Sequence, residues 1–225
     1  MADSKPRPAD LQAVPLFPLP NVVLFPRAVL PLHIFEDRYK SMITDVLAGE
    51  RRIAMALLMP GWEKNYYLRP EIHPVVCVGN VLVHEKNSAD GTYNFLLQGQ
   101  TRARIVRERA GGPYRVADLE PLAETVVDEQ DLTHHRRRLI SVFDSGSLLA
   151  TVIGRQFRQL LATGLSTSQI ADLIAFNFLE DVSLKQSLLC ECDIHKRVER
   201  TIAEFESLHP PLEPVAYPIR KPSMN

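Results

Sequence analysis

The chain has 225 residues, with 26 Lys plus Arg against 27 Asp plus Glu and 45% hydrophobic residues, the balance of an ordinary globular protein. A formal net charge of -1 gives no global attraction for nucleic acid, and no apolar run reaches the roughly 20 residues of a bilayer-spanning helix. Cys77, Cys190 and Cys192 are too few and too unevenly placed for a disulfide framework, and the polar start MADSKPRPAD has no apolar signal core; a cytoplasmic setting is expected.

Residues 1–12 read as a polar N-terminal tail. Residues 13–123 read as a β domain with one helix. Its first apolar runs are broken by Pro15, Pro18, Pro20, Pro26 and Pro31, which suits edge strands and turns rather than a central ladder. Tyr39, Met42, Ile43, Val46 and Leu47 then recur at helical spacing, and Gly49 is placed to end that helix. Strands are expected over Arg52–Met59, Pro74–Lys86, Thr92–Gln98, Thr101–Arg109 and Tyr114–Leu119. Asp90-Gly91 is a strong hairpin signal. Gly99-Gln100 reads as a tight turn and Gly111-Gly112-Pro113 as a further break. Such closely spaced strands predict a curled sheet or barrel.

From about residue 128 the apolar period becomes helical, and residues 124–208 read as an α-helical bundle. Leu148, Leu149, Val152, Ile153 and Phe157 mark one helix. Ser166 and Gln169 have capping-box spacing, and Ile170, Leu173 and Ile174 follow on one side. Ser183 and Gln186 repeat that spacing. Asp193 is placed to cap a last helix with Ile194, Val198, Ile202 and Phe205 on one face. Residues 209–225 form a Pro-rich tail in which Val215, Tyr217 and Ile219 alternate as an edge strand would. The architecture is therefore α+β, a β domain followed by helices.

The run from Val14 to Pro26 (VPLFPLPNVVLFP), then Val29 to Glu36 (VLPLHIFE) and Arg38-Tyr39, resembles the start of the Lon substrate-binding (Lon N-terminal) domain family. Pro74 to Gly79, the Asp90-Gly91 turn, Gln98 to Val106 (QGQTRARIV) and Pro113-Tyr114 through Leu122 resemble later segments of that family in the same order. Leu173 to Leu179, Lys185 to Leu189 and Val198 to Arg200 resemble its helical part. The match covers about residues 13–208. The HIFE wording is similar to stand-alone members and to the Lon-like domain of cereblon. The resemblance implies a PUA-like β pseudo-barrel with an attached helical bundle, and a module that engages protein substrates without catalysing their cleavage.

Catalytic patterns are thin. A Lon-type ATPase needs a Gly-rich phosphate loop ending in Gly-Lys, and the chain has no Gly-Lys dipeptide. Nor is there length for a Ser-Lys peptidase domain beside the matched segments. Cys190, Cys192 and His195 form C-x-C-x-x-H, but on a helix residues 190 and 192 point roughly 200° apart, and a zinc site wants a fourth ligand. Small thiols packed in the bundle are the favoured reading. His33 reads as a partly buried, satisfied histidine, and His73 and His84 have no pattern around them. His134-His135-Arg136-Arg137-Arg138 reads as a solvated helix face. No catalytic residue, cofactor or metal is expected.

Two binding surfaces are in view. Trp62, Tyr66 and Tyr67 lie in a loop bounded by Pro60 and Pro70 and offer rigid amphipathic contact area, or else a lid over the barrel end. Glu36, Asp37 and Arg38 at the helix start are candidates for a polar rim. The expected partners are unfolded or extended protein segments, with a separate protease or chaperone as a further candidate. The alternative is RNA binding through Arg102 and Arg104, which share one strand face. Neutral net charge and the missing aromatic stacking pattern rank nucleic acid lower. No membrane partner is expected.

Overall fold

A computed structural model describes residues 11–145, 148 and 150–210. The Val215, Tyr217 and Ile219 alternation, Leu149 and the first ten residues lie outside the described part.

Five strands close into a ring. β1 (Val14–Leu19) runs parallel to β3 (Arg52–Leu57) and antiparallel to β6 (Arg115–Pro121). β3 pairs with β4 (Val75–Lys86), and β4 pairs with β5 (Tyr93–Arg109), both antiparallel. The second half of β5, Ala103–Arg109, then pairs with β6 and completes the circuit. Its first half, Tyr93–Gln98, instead carries β2 (Val29–Ile34). One 17-residue strand thus belongs to the ring and to an extension of it.

The expected turn at Gly99-Gln100 is absent, because β5 runs straight through it. Val78 faces Thr101 while Gly79 faces Gly99, so Gln100 is the extra residue of a bulge. Glycine stands at 99 for another reason. The 25–28 backbone crosses directly over it: Gly99 N donates to Ala28 O at 2.9 Å, and Arg27 N donates to Gly99 O at 2.7 Å. A Cβ at 99 would lie 2.0 Å from the Phe25 carbonyl oxygen. The Asp90-Gly91 hairpin, by contrast, is present. Asp90 Oδ1 accepts from Thr92 N at 2.9 Å, and Gly91 takes φ +71°.

β1 is not an edge strand despite Pro15 and Pro18. It lies between β3 and β6. Its two ladders are staggered: β6 meets Val14–Leu16 and β3 meets Leu16–Leu19. Each proline therefore sits in one ladder only, which a residue without an N–H tolerates.

Strand alternation sorts the barrel residues into two layers. Leu16, Ala54, Ala56, Val76, Val78, Ala103, Ala117 and Leu119, drawn from all five ring strands, form one buried cluster inside the ring. Their small size suits a narrow lumen. Phe17, Met55, Cys77 and Leu97 point outward and are covered by helices. α1 (Asp37–Ala48) covers part of this layer with Tyr39, Met42, Ile43 and Val46 and ends at Gly49, as its stripe predicts. Ala175, Leu179, Leu188 and Leu189 from the helical region cover another part.

The remaining helices are α2 (Thr133–Ser145), α3 (Val152–Leu161), α4 (Thr167–Phe178), α5 (Val182–Cys190) and α6 (Ile194–Leu208). Leu139, Phe143, Phe157, Ile170, Ile174, Val198, Ile202 and Phe205 are packed in their shared core. The Ser166/Gln169 capping box is complete, and Asp193 caps α6 through Lys196 N. At α5 the cap is Asp181 rather than Ser183. Gln186 is buried instead, and its amide donates to Val75 O of β4 at 2.9 Å. α3 starts only at its Thr151 cap, so Val152 and Ile153 are exposed while Leu148 packs ahead of it.

The basic run on α2 is not a simple solvated face. Arg136 donates to Leu165 O at 2.9 Å and to Leu161 O at 2.5 Å, fixing the α3–α4 link. Arg138 forks onto Glu206 at 2.6 Å and Glu199 at 2.7 Å of α6. Only His134 and Arg137 of the run are exposed. His33 is exposed rather than partly buried, and its Nδ1 lies 2.7 Å from Asn94 Oδ1 on the neighbouring strand.

Candidate functional site

The loop between β3 and β4 is held closed at its base. Met59 N donates to Glu71 O and His73 N donates to Leu57 O, each at 2.9 Å. Gly61 turns the chain with φ +91°, and Trp62–Asn65 then forms one tight helical turn. At the far end Arg115 of β6 donates to Pro70 O at 2.7 Å. The loop is thereby fixed over one end of the barrel, beside the start of α1.

Its aromatic residues are stacked in sequence. Trp62 meets Tyr66 edge to face at 5.6 Å, and Tyr66 meets Tyr67 edge to face at 5.2 Å. Tyr66 is the anchor. Its hydroxyl donates to Glu36 Oε1 at 2.7 Å, and the Arg38 guanidinium lies over its ring at 5.1 Å. Arg38 also lies 4.6 Å from the Tyr39 ring and donates through Nε to Glu36 Oε2 at 2.9 Å. Glu36 is the N-cap residue of α1, but its side chain makes no capping hydrogen bond; its carboxylate is used on the loop instead. The loop and the helix start, 30 residues apart in sequence, thus form one surface.

A cleft of about 460 Å³ opens beside them. One wall is Tyr66, Tyr67, Leu68, Arg69 and Pro70, the floor includes Pro18, Tyr39 and Leu58, and the other wall is Gly112, Pro113, Tyr114 and Arg115. Tyr67 and Leu68 are 86% and 71% exposed. Trp62 and Glu36 stand behind the cleft and support Tyr66. Asp37 lies off it, exposed, and pairs with Lys40 at 3.4 Å.

Electrostatics favour a hydrogen-bonding surface with intact hydroxyls. Burial pushes the Tyr39 phenol up to about 12. Burial and the Asp45 carboxylate, which accepts from Tyr114 at 2.7 Å, push that phenol up to about 12 as well. Tyr66 is raised by burial and then by its bond to Glu36. Burial works against the charge of Arg38, but Tyr39 and Glu36 outweigh it and hold the guanidinium above its ordinary value. All these groups keep their protons at neutral pH.

The structure brings Trp62, Tyr66, Tyr67, Glu36 and Arg38, singled out in the sequence, onto one surface, and sets beside them Tyr39, Leu68, Arg69, Tyr114 and Arg115, which the sequence does not single out as site residues. The Gly111-Gly112-Pro113 break is visible in the sequence, and both glycines take positive φ, but no local signal sets that turn opposite residue 67.

Arg102 and Arg104 part company. Arg102 is buried and meets Asp172 of α4 and Glu124, at 2.5 and 3.3 Å. Its guanidinium has no free edge for a phosphate, because α4 and α5 cover the strand face that reads as solvated in sequence. Arg104 is exposed. Cys190 at the end of α5 is exposed and Cys192 in the link to α6 is half-buried, so neither thiol is packed inside the bundle as the sequence suggests, because Cys190 is the last residue of α5 and Cys192 lies before α6 begins. Among the described residues no group of three His, Cys, Asp or Glu is arranged to hold a metal ion, and no helix is long and apolar enough to cross a membrane.

The sequence profile of the ATP-dependent protease La (LON) substrate-binding domain matches residues 13–205. Lon protease of Dictyoglomus thermophilum is 24% identical over 194 residues, which cover 84% of this chain and 24% of that protein. Lon protease of Escherichia coli K12 is 25% identical over 204 residues, covering 90% of this chain and 26% of that protein. The chain thus spans about a quarter of the length of the curated relatives it matches. Two solved structures share the fold. The N terminal domain of Mycobacterium avium complex Lon protease superposes with a TM-score of 0.66 at 17% identity, over 87% of this chain and 98% of that one. A Lon N-terminal domain protein from Xanthomonas campestris superposes with a TM-score of 0.62 at 22% identity, over 85% and 98%.

Proposed function

The chain belongs to the ATP-dependent protease La (LON) substrate-binding domain family, and we propose that it works as a non-catalytic module that captures unfolded or extended protein segments in the cleft between the Trp62–Pro70 loop and the Gly112–Arg115 turn. The observation that carries this reading is the pair of neighbouring side chains Tyr67 and Leu68, displayed at the mouth of a cleft while the loop beneath them is fastened by Tyr66, Glu36 and Arg115. Exposed apolar area on a rigid support is what a binding surface needs, because little ordering entropy is lost when a partner docks. A substrate segment would bury the Tyr67 and Leu68 faces and use the surrounding hydroxyls and guanidinia for its backbone carbonyls.

RNA binding has less support. One of its two arginines is committed to Asp172 and Glu124.

Trp62, the only tryptophan of the chain, reports on the loop. Titration with a reduced, carboxymethylated protein is expected to shift its fluorescence, and the folded form of the same protein is not. No change with several chemically different unfolded proteins overturns the proposal.

A further inference from the structure

Three arginines and no acidic residue line the cleft: Arg38, Arg69 and Arg115. Two of them are already met. Arg38 pairs with Glu36 at 2.9 Å and Arg115 with Glu108 at 2.5 Å. Arg69 is exposed, and its guanidinium has neither a hydrogen-bond nor an ion-pair partner among the described residues. The cleft therefore carries one uncompensated positive charge in its lining.

A second polar group lacks a partner in the same cleft. Tyr39 is 4% exposed and lines it. The ring is fully used, edge to face with Phe17 at 4.5 Å and beneath Arg38. The hydroxyl has no hydrogen-bond partner among the described residues. It stays protonated through the neutral range, so it is available as a donor. Because Tyr39 lines the cleft, its hydroxyl can donate to an acceptor that arrives with a ligand, and a carboxylate is the strongest such acceptor on a protein chain.

We infer that the cleft selects, among extended protein segments, those that carry an Asp or Glu next to a large apolar side chain. The inference rests on the binding role proposed above and adds its specificity. The apolar side chain packs on Tyr67 and Leu68, and the carboxylate takes the Tyr39 hydroxyl and the Arg69 guanidinium. A lysine in the same place meets the like charge of Arg69 and is disfavoured.

The test uses the full chain and labelled peptides with acetylated and amidated ends, identical except for Glu, Gln or Lys beside one leucine-phenylalanine pair. Binding is read by fluorescence anisotropy. The Glu peptide is expected to bind about tenfold more tightly than the Gln peptide, as one or two charge-assisted hydrogen bonds provide, with the Lys peptide weakest and the preference shrinking as salt rises. Arg69→Ala and Tyr39→Phe should each reduce the preference, and Arg69→Glu should move it towards Lys. Tyr39→Phe keeps the ring packing, so its thermal midpoint should match the parent and any change in selectivity belongs to the hydroxyl. Equal binding of Glu and Gln peptides overturns the inference and leaves the binding role standing. Recovery of affinity by the Gln peptide with a free C-terminus, to the level of the Glu peptide, overturns the assignment to an acidic side chain. No binding of any peptide overturns the binding role itself.

Discussion

Arg102 of β5 and Asp172 of α4 meet at 2.5 Å with side chains only 2% and 5% exposed. Arg197 of α6 joins them, 3.3 Å from Asp172 and 2.6 Å from Glu124, and Glu124 reaches back to Arg102. Leu189 O and Glu191 O accept from the two guanidinia at 3.2 and 2.6 Å. Two cations and two anions thus lie where the barrel meets the helices. Removing one member of a buried set leaves its partners charged and unpaired, at a cost of about 3–5 kcal/mol. Asp172→Ala is therefore expected to lower unfolding free energy by about that amount in urea denaturation. Asp172→Leu combined with Arg102→Met should recover much of the loss, because both charges leave together. A loss under about 1 kcal/mol for Asp172→Ala would show that Glu124 alone compensates both arginines.

Gly99→Ala should be among the most damaging single changes in the barrel. Its Cβ would sit 2.0 Å from the Phe25 carbonyl oxygen, and that atom is backbone tied down by the Gly99–Ala28 and Arg27–Gly99 bonds. A loss of about 3 kcal/mol or more, or failure to fold, is expected. Gly91→Ala is the control. Space there is open, and only φ +71° opposes a side chain, so a loss of about 1 kcal/mol is expected. Thermal midpoints of the two variants give the comparison.

Tyr67→Ala with Leu68→Ala separates binding from stability. Both side chains are exposed, so the denaturation midpoint should correspond to a change within about 0.5 kcal/mol. Affinity for an unfolded protein should fall at least about tenfold if these side chains form the centre of the contact. Parent-like affinity would move the binding surface elsewhere.

Asp118 sets an acid limit on stability. Arg109, the Ala13 N–H and Arg107 all donate to its carboxylate, which they hold well below the usual carboxylate range. A carboxyl group lowered on folding adds stability that is present above its unfolded value of about 3.9 and lost as pH falls through the folded value. Asp118→Asn should therefore reduce stability at pH 7 and flatten its decline below about pH 4. High salt should weaken the effect, because Arg107 and Arg109 are exposed.

Features that depend on near neighbours are legible in the amino-acid sequence. The Tyr39, Met42, Ile43, Val46 stripe, the Asp90-Gly91 turn, the Ser166/Gln169 box and the Asp193 cap are all decided within a few residues, where spacing maps directly onto geometry. Local signals mislead where a distant element overrides them. Gly99 has the look of a turn residue, whereas the crossing backbone of residues 25–28 is what requires a glycine there. Gln186 matches a capping pattern and instead reaches Val75, 111 residues away. Pro15 and Pro18 point to an edge, but staggered ladders give each proline a free side within the ring.

The candidate cleft is half visible in the sequence for the same reason. Composition and chain order identify an aromatic loop and a charged helix start as surfaces of interest, and residue patterning determines a curled sheet or barrel followed by helices. Only the tertiary structure decides that these surfaces form one cleft. Tyr66 meets Glu36 across 30 residues, and Tyr114 meets Asp45 across 69. The burial of Arg102 beside an exposed Arg104 is likewise decided by α4 and α5 docking on one part of a strand. Periodicity says which residues share a face; it carries no information about where along that face another element lands, because that depends on the packing of the whole chain.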